Sequence, residues 1–459
     1  MKERGGAEPF KIKMVEPVGL TTKAQREEIL KKAGYNQFRI PAEYVYIDLM
    51  TDSGTSAMSD NQWAGIMMGD ESYAGARNFY HLRDTVREIF TYEYVIPTHQ
   101  GRAAENILMS AVLWPGKYVL GNMFFDTTEA HIAHKGCKGV SFMIPEAYDT
   151  QSTHPFKGNV DVVRLEEFIR KEGASKVGMI IITVTCNNNG GQPVSMENVR
   201  QVSAVARKYG IPLFFDSARF AENCYFIKKR EAGYGDRSIL EIANEMFSYG
   251  DGATCSAKKS ALVNIGGFLA MNSKELYDKC LEYLVLFEGF ATYGGLAGRD
   301  LEAMARGLRE GLDEAYLEDR IGQVEYLASA LMEAGASVVL PPGGHAAYVD
   351  CKKTVPHLSW DKFPADSLGV ALYLDCGVRT VGLGALAFAE KDPVTGEWVP
   401  PELELLRLAV PRRVYTDRHM NVVAEAMGRV LKRPEQIRGL RLVKEPARLR
   451  HFLSELEPI

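Results

Sequence analysis

Apolar runs of strand length alternate with helical segments between about residues 60 and 270, and this alternation restricts the possible folds more than any other feature. The runs at 94–98, 118–125, 177–185 and 211–216 are typical of buried strands. Helical patterns, such as the one at 196–209, separate them. Strands that alternate with helices form parallel sheets with right-handed crossovers. We therefore predict an α/β domain built on a mostly parallel sheet.

The C-terminal part of the chain has a different pattern. Apolar positions from 299 to 334 follow a helical period, which predicts one long helix leading into a second domain. Short strands are predicted at 338–340, 346–350, 378–381 and 405–410, helices at 365–374 and 417–431, and a hairpin tip at 392–397. A short helix at 23–33 and a strand at 45–50 precede the first domain. The prediction is an N-terminal arm at 1–20, a large domain at 56–312, and a small α+β domain formed by 21–55 and 313–459.

Composition excludes several classes of protein. With 459 residues, 46% of them hydrophobic, the chain can build two or three domains, and its net charge of −5 argues against nucleic-acid partners. The seven cysteines are scattered without a CxxC pair, which is typical of a reducing compartment. Neither a signal peptide nor a membrane-spanning run is evident. We therefore expect a cytoplasmic protein without membrane partners.

Two adjacent lysines, Lys258 and Lys259, lie between a small polar run and an apolar run interrupted by glycine. A lysine amine held away from bulk water is a nucleophile towards carbonyl groups. The strand that ends at Asp216 places a carboxylate at the carboxyl edge of the sheet, where α/β folds bind ligands. Taken singly, adjacent lysines are mostly solvated, and an aspartate after a strand commonly caps a helix. Together they favour pyridoxal phosphate, a lysine-bound cofactor whose ring nitrogen needs an acid.

The segment Gln100-Gly101-Arg102 offers an anion site between a strand and a helix start. Backbone N–H groups at a helix N-terminus and an arginine side chain suit a phosphate. The polar loop 51–55 suits a carboxylate or phosphate too, although an ordinary turn explains it equally well. His131 and His134 are one helical turn apart without a third ligand, so we interpret them as structural or surface residues.

Eight ordered motifs resemble the β-eliminating lyases, the family that includes tryptophanase and tyrosine phenol-lyase. They are TDSGT (51–55), GDESYAG (69–75), PTHQGR (97–102), GGQPVS (190–195), DSARFAENCYFIK (216–228), SAKK (256–259), YGGLAGRD (293–300) and PRRVYT (411–416). The resemblance implies the aspartate-aminotransferase type of pyridoxal phosphate fold (fold type I), with a mostly parallel seven-stranded sheet in the large domain. It also implies a homotetramer, a dimer of dimers with active sites between subunits.

The resemblance also implies roles for individual residues. Lys259 would hold pyridoxal 5'-phosphate as a Schiff base, and Asp216 would bind the pyridine nitrogen. The other implied cofactor contacts are Gln100, Gly101, Arg102, Ser256 and Lys258 at the phosphate, Phe125 stacked on the ring, and Asn187 and Arg219 at the phenolic oxygen. Arg412, with Thr51 and Ser53 near it, would take the substrate carboxylate. Glu71, with the carbonyl groups of Gly54 and Asn264, would bind a monovalent cation, K⁺ or NH₄⁺.

The implied reaction is β-elimination from an amino acid, and four positions bear on which group leaves. Asp126, Phe290, Leu383 and His451 resemble tryptophanases, whereas tyrosine phenol-lyases have Thr, Met, Arg and Phe there. A phenol oxygen favours a cationic donor, whereas an indole offers an apolar face and one N–H. These positions predict cleavage of L-tryptophan to indole, pyruvate and ammonia. Cleavage of L-tyrosine to phenol, pyruvate and ammonia is the alternative, and 58–71 and 262–267 resemble tyrosine phenol-lyase.

In the predicted mechanism Lys259 removes the α-proton, Tyr73 protonates the ring carbon that carries the side chain, and Asp126 polarises the indole N–H. Packing against the cofactor phosphate is the other interpretation of Tyr73. Three positions depart from the family pattern: Gly382 stands for an acidic residue, Ser260 for an aspartate and Ala291 for a proline. Since Gly382 lies beside the substrate loop, it predicts a broader or shifted substrate range.

Overall fold

The structure is a computed structural model that describes residues 7–392, 394–446 and 449–459. The chain divides into two compact units. Unit 1 comprises Met1–Asp52, Tyr148–Thr153 and Asp319–Ile459, and unit 2 comprises Ser53–Ala147 and His154–Glu318. No helix in the described ranges is both long and apolar enough to cross a bilayer.

The described residues form strands and helices throughout both units. The strands are β1 Ile47–Asp48, β2 Tyr94–Thr98, β3 Tyr118–Gly121, β4 Lys138–Ser141, β5 Val177–Thr183, β6 Leu213–Asp216, β7 Gly252–Cys255, β8 Gly267–Met271, β9 Ala346–Asp350, β10 Val378–Arg379, β11 Val381–Leu383, β12 Glu390–Lys391, β13 Trp398–Val399, β14 Leu405–Ala409, β15 Leu440–Lys444 and β16 Glu455–Pro458. The helices are α1 Lys23–Lys32, α2 Asp60–Met67, α3 Arg77–Phe90, α4 Gly101–Val112, α5 Asp126–His134, α6 Val162–Glu172, α7 Met196–Tyr209, α8 Phe220–Arg230, α9 Ile239–Ser248, α10 Lys274–Phe287, α11 Gly298–Glu310, α12 Glu314–Glu333, α13 Cys351–Thr354, α14 Pro364–Cys376, α15 Ala385–Phe388, α16 Asp417–Leu431 and α17 Arg450–Leu453.

A seven-stranded sheet forms the centre of unit 2, in the order β2-β8-β7-β6-β5-β3-β4. The neighbours β3/β4, β3/β5, β5/β6 and β6/β7 are parallel, and β8 runs antiparallel to β2 and β7. Every residue of β5 is buried, as expected of a central strand covered on both faces. The predicted α/β class with a mostly parallel, seven-stranded sheet is therefore confirmed.

The register of this sheet positions the candidate site. Thr183 at the end of β5 pairs with Asp216 at the end of β6, and Asp216 pairs with Thr254 in β7. Parallel strands end at the same edge, so the loops that follow β5, β6 and β7 emerge together. Lys259 lies in the loop directly after β7.

Unit 1 contains an antiparallel three-stranded sheet in the order β11-β14-β9. One face packs on helices α12, α14 and α16 through a core that includes Leu327, Leu368, Leu406 and Met427. The other face carries a smaller apolar cluster. Strands β1 and β10 form a parallel pair, and β15 and β16 form an antiparallel pair.

The predicted single helix at 299–334 is wrong, because α11 ends at Glu310 and α12 begins at Glu314. Gly311 is a poor helix former, and the Asp313 side chain accepts a hydrogen bond from Tyr316 N at 2.7 Å, as residues before a new helix do. The apolar period continues across this break, so periodicity alone did not reveal it.

Several predicted strands are shorter than expected. The strand at 45–50 contains only Ile47–Asp48, and the one at 118–125 ends at Gly121. The run 338–340 forms only an isolated bridge between Val338 and Val349, and 378–381 divides between β10 and β11. The hairpin tip predicted at 392–397 lies between the antiparallel strands β12 and β13, and its Pro393 is outside the described residues. Of the predicted arm, residues 7–20 contain no helix or strand, and residues 1–6 are outside the described part.

Candidate active site

Lys259 is a buried amine in the loop after β7. Its side chain is 7% exposed, and its Nζ donates a hydrogen bond to Ser256 Oγ at 2.9 Å. Leu262 N donates to Lys259 O at 3.0 Å, and Ala257 N to Gly266 O at 3.1 Å, so the loop is closed by its own backbone. The amine is therefore held in a fixed place away from bulk water.

Asp216 shares the environment of this amine at the end of β6. Burial raises the pKa of Asp216 above its ordinary value, while the positive charges of Lys259 and Arg219 oppose that rise. Ala218 N donates to Asp216 Oδ1 at 3.4 Å. A carboxyl group held here, opposite a buried amine, can bind and retain a proton on a ring nitrogen placed between them.

The start of α4 fits a phosphate group. Gln100 occupies the N-cap without a side-chain cap, and its Oε1 accepts a hydrogen bond from Lys258 Nζ at 3.0 Å. Burial lowers the pKa of Lys258, and the positive charge of Arg102 lowers it further. A Cβ at Gly101 would lie 2.7 Å from Ser256 Cβ, so only glycine lets this loop pass so close. Two neighbouring cations at a helix N-terminus suit a dianion, so these residues fit the phosphate of pyridoxal phosphate.

The residues predicted to contact the cofactor ring lie in neighbouring loops of unit 2. Phe125 is the half-buried N-cap of α5, and Arg219 is the buried N-cap of α8. Asn187 Nδ2 donates to Asn188 Oδ1 at 2.6 Å, and Asn188 Nδ2 in turn donates to Asp126 Oδ1 at 3.3 Å. Asn188 thus joins the loop after β5 to Asp126, a link that sequence reasoning missed.

Glu105 is a second buried carboxyl group that the sequence did not reveal. It is 6% exposed and accepts hydrogen bonds from Thr127 Oγ1 and Thr128 Oγ1, each at 2.7 Å. Burial and the negative charge of Asp216 raise the pKa of Glu105 to about 7, although Lys259 and the two hydroxyl groups oppose the rise. The sequence did contain a signal for Glu105, because a glutamate is unusual within the apolar helical segment that follows Gln100-Gly101-Arg102. Its two hydrogen bonds fix the first turn of α5, where Asp126 lies.

The variant Glu105→Gln tests this ionisation through stability. Between about pH 4.5 and 7 the folded protein binds a proton here that the unfolded chain does not, so this group lowers stability as pH rises. As the pH is raised from 5 to 8, we expect the melting temperature of the variant to increase relative to that of the wild type. The corresponding change in their relative free energy of unfolding is up to about 3 kcal/mol. Thermal unfolding of the cofactor-free protein measures it, with exposed Glu167→Gln as control. Parallel pH profiles for the variant and the wild type would contradict the assignment.

Tyr73, the predicted catalytic acid, and Phe290, a predicted substrate residue, belong to an exposed aromatic group in unit 2. The Tyr73 ring stacks on Phe290 with centroids 5.8 Å apart and lies 5.2 Å from the Tyr293 ring. A hydrogen bond with Tyr293 raises the pKa of Tyr73, so its hydroxyl group keeps its proton at neutral pH. Tyr73 is 71% exposed and Phe290 40% exposed.

Two of the predicted cation ligands are in contact, because Asn264 Nδ2 donates to Gly54 O at 3.0 Å. Glu71 lies 3.4 Å from Arg299 Nε in an exposed ion pair. Gly54 N donates to Lys258 O at 2.8 Å, which connects the loop at Ser53 to the candidate phosphate site.

In unit 1, Arg412 is fully buried and donates from Nη1 to Asp52 Oδ2 at 2.9 Å. Arg320 Nη2 lies 3.8 Å from the same oxygen. Two guanidinium groups around one carboxylate leave a net positive charge, which suits a substrate carboxylate. Thr51, which is partly exposed, and Ser53 were predicted near Arg412, whereas the role of Asp52, which stands between them in the sequence, was not predicted.

Leu383 and His451 also lie in unit 1. Leu383 in β11 is 4% exposed and belongs to an apolar cluster with Tyr348 and Leu405. The His451 ring is 6% exposed and lies 6.0 Å from the Phe38 ring. The surroundings of Leu383 are therefore apolar, as the sequence suggested.

The chain is similar to known proteins over nearly its whole length. The profile of the family described as "Beta-eliminating lyase" matches residues 48–426. Tyrosine phenol-lyase of Symbiobacterium thermophilum is 52% identical over 457 residues, 100% of either chain, and a probable β-eliminating lyase of Trichomonas vaginalis is 52% identical over 452 residues, 98% of either chain. The solved structure of Sphingomonas wittichii serine palmitoyltransferase, at 13% identity, gives a TM-score of 0.60 over 90% of this chain and 97% of that chain. This last likeness concerns the fold alone, and it agrees with fold type I.

Proposed function

Because the chain belongs to the β-eliminating lyase family, we propose that it is a pyridoxal-phosphate-dependent carbon–carbon lyase. It removes the side chain of an aromatic L-amino acid and leaves pyruvate and ammonium. The observation that carries the proposal is the buried Lys259 amine opposite the Asp216 carboxyl group, beside the cationic start of α4.

The proposed site residues of unit 2 each have a role in this reaction. Bound pyridoxal phosphate supplies an electron sink at the α-carbon. Lys259 Nζ carries the cofactor and moves the α-proton, and Asp216 holds the proton on the ring nitrogen. The phosphate is bound by Gln100, Gly101, Arg102, Ser256 and Lys258, and the ring by Phe125, Asn187 and Arg219.

The proposed substrate contacts rest on the charges of the side chains and on the protons that they can donate or accept. Arg412, supported by Thr51 and Ser53, binds the substrate carboxylate, since the buried arginine pair around Asp52 carries a net positive charge. Tyr73 donates a proton to the ring carbon that leaves, because carbon is a poor leaving group until it is protonated. Asp126 accepts a hydrogen bond from the leaving ring.

Tyrosine is the first substrate to test. Relatives that match this chain over their whole length at 52% identity are named tyrosine phenol-lyase, including that of Pasteurella multocida over 98% of either chain. These names favour tyrosine, the alternative in the sequence analysis, over the tryptophan preferred there.

Tryptophan stays a second candidate because of Leu383. Its buried, apolar surroundings offer no cationic donor to a phenol oxygen, and the loss of such a partner costs about 1.5–3 kcal/mol. An indole has an apolar face that suits Leu383 and Phe290, and one N–H for Asp126.

One assay separates these functions. The purified protein with pyridoxal phosphate and KCl is offered tyrosine, tryptophan and serine in turn, and pyruvate, ammonium, phenol and indole are measured. Phenol with pyruvate supports the first candidate, and indole with pyruvate the second. Product that requires an added 2-oxo acid and releases no ammonium would indicate an aminotransferase instead.

We make two further proposals. A monovalent cation binds at Glu71, Gly54 and Asn264, and the chain forms a homotetramer. Large cations of single charge suit carbonyl and carboxylate oxygens, so replacing KCl by NaCl at equal ionic strength tests the cation. Unit 2 exposes Met67 (85%) and Leu286 (72%), which supports assembly, and light scattering measures it.

A further inference from the structure

Glu288 is a carboxylate that none of these roles uses. It follows the last residue of α10, and its side chain is only 7% exposed. A carboxylate so far from water needs hydrogen-bond donors, and His99 supplies two of them. Glu288 Oε2 accepts one hydrogen bond from His99 N at 3.1 Å and another from His99 Nδ1. Both residues lie in unit 2, and His99 directly precedes the candidate phosphate site.

The contact with Glu288 determines which hydrogen bonds the His99 ring can make. Because Nδ1 faces the carboxylate, Nδ1 carries the ring proton, and Nε2 of the neutral ring accepts a hydrogen bond. Gln100 Nε2 lies 2.8 Å from His99 Nε2, and an amide nitrogen can only donate. The side-chain amide of Gln100 therefore points its nitrogen towards His99 and its oxygen away from it.

Lys258 is the last member of this chain of hydrogen bonds. Its Nζ donates to Gln100 Oε1 at 3.0 Å. If the Gln100 amide turned over, its N–H groups would face the Lys258 ammonium group and its oxygen would face the lone pair of His99 Nε2, and neither pair can form a hydrogen bond. The hydrogen bonds from Glu288 to Lys258 therefore favour a single arrangement of the four side chains.

The backbone holds His99 from two sides. Gly266 N donates to His99 O at 2.8 Å, which joins His99 to the end of the loop that contains Lys258. On the other side, the segment that follows α10 packs directly on strand β2. A Cβ at Gly294 would lie 1.8 Å from Pro97 O, so only glycine permits this approach. His99 is therefore fixed between the end of α10 and the Lys258 loop.

We propose that His99 and Glu288 are positioning residues for the cofactor phosphate and that they act through the side chain of Gln100. The inference rests on the proposed function, which places Gln100 and Lys258 at that phosphate. His99 keeps the Gln100 oxygen pointed at Lys258, so the Lys258 amine is already held at the start of α4 before the cofactor binds. A site ordered in advance loses less conformational freedom on binding, so it binds the phosphate more tightly.

A purely structural role for His99 makes a different prediction. If the ring served only to supply donors to the buried Glu288 carboxylate, its loss would lower the melting temperature and would weaken every ligand of the site alike. A positioning role instead affects the part of cofactor binding that depends on the phosphate. Pyridoxal, which has the same ring and aldehyde but no phosphate, separates the two roles.

The test titrates the cofactor-free protein with pyridoxal phosphate and with pyridoxal and measures both dissociation constants by absorbance. Their ratio, pyridoxal over pyridoxal phosphate, is the phosphate preference. Asparagine places a polar group near the position of Nδ1 and none near Nε2, so His99→Asn keeps a donor for Glu288 and loses the acceptor for Gln100. We expect this variant to lower the phosphate preference about tenfold. His99→Gln, which places an oxygen near Nε2, should stay within threefold of the wild type. Exposed His134→Asn is the control.

Two further variants test whether His99 acts through Gln100. In Gln100→Leu nothing remains for His99 to orient, so adding His99→Asn should change the phosphate preference less than threefold. Glu288→Gln keeps the size of the side chain but can offer the ring an N–H as well as an oxygen, so one ring tautomer is no longer selected. It should lower the phosphate preference more than threefold, whereas Glu282→Gln, at an exposed position on the same helix, should not. Glu288→Gln decides the question if His99→Asn does not fold.

Several results would overturn the inference. They are a phosphate preference within threefold of the wild type in His99→Asn or, if that variant does not fold, in Glu288→Gln, an equal loss in His99→Gln, and an equal loss with and without Gln100. A wild type that binds both compounds equally overturns it together with the proposed phosphate site. A wild type that prefers pyridoxal phosphate but forms no pyruvate from any amino acid overturns the proposed function alone, and the binding ratios then still decide the roles of His99 and Glu288.

Discussion

Replacement of Lys259 by alanine should abolish both the yellow colour of the cofactor-loaded protein and its formation of pyruvate. Nζ is the buried amine at the carboxyl edge of the sheet, and a pyridoxal phosphate that cannot bond it covalently loses its fixed position. The variant also loses the base for the α-proton. We expect kcat/KM to fall by about 10³-fold or more. Visible absorbance and pyruvate release measure the two effects separately.

Two further variants separate loss of chemistry from loss of folding. Lys259→Arg keeps a positive charge opposite Asp216 but cannot form the covalent link, so it should remain folded and colourless. Lys274→Ala removes an exposed lysine that pairs with Asp278 on α10, and it should match the wild type. If Lys259→Ala kept the covalent colour, the proposed cofactor attachment would be wrong.

The fold was predictable where one physical pattern determined the structure. Strand β5 is buried over its whole length, and a continuous apolar run between turn residues has few other interpretations. Prediction failed where local contacts compete with periodicity. The helix at 299–334 breaks because Asp313 bonds the backbone of the next turn, an interaction that leaves the apolar period intact.

The same distinction separates the site residues that could be predicted from those that could not. Lys259 and Asp216 could be found because Asp216 ends strand β6 and Lys259 lies just after β7, and strand ends meet at one edge of a parallel sheet. Glu105 and Asp52 were missed because their significance depends on neighbours distant in sequence. Glu105 accepts a hydrogen bond from Thr127, and Asp52 pairs with Arg320, and no local motif encodes either pair.

Replacement of Asp216 by asparagine is expected to separate colour from activity. Asparagine keeps an oxygen that can accept the hydrogen bond from Ala218 N, so the strand end should persist. It carries no charge, so it cannot hold a proton on the pyridine nitrogen, and the ring then withdraws electrons poorly. Since Lys259 is intact, the variant should still turn yellow with pyridoxal phosphate while kcat/KM falls by about 10²- to 10⁴-fold.

The matched control is Asp236→Asn, which neutralises an exposed carboxylate and should leave both properties unchanged. Together with Lys259→Ala, Asp216→Asn assigns two functions to two residues: one variant loses colour and activity, and the other loses activity alone. An Asp216→Asn protein with activity within tenfold of the wild type would show that the ring nitrogen needs no acid here. The strand-end carboxylate would then be structural, and the charge of Asp216 would serve mainly to balance the buried lysine.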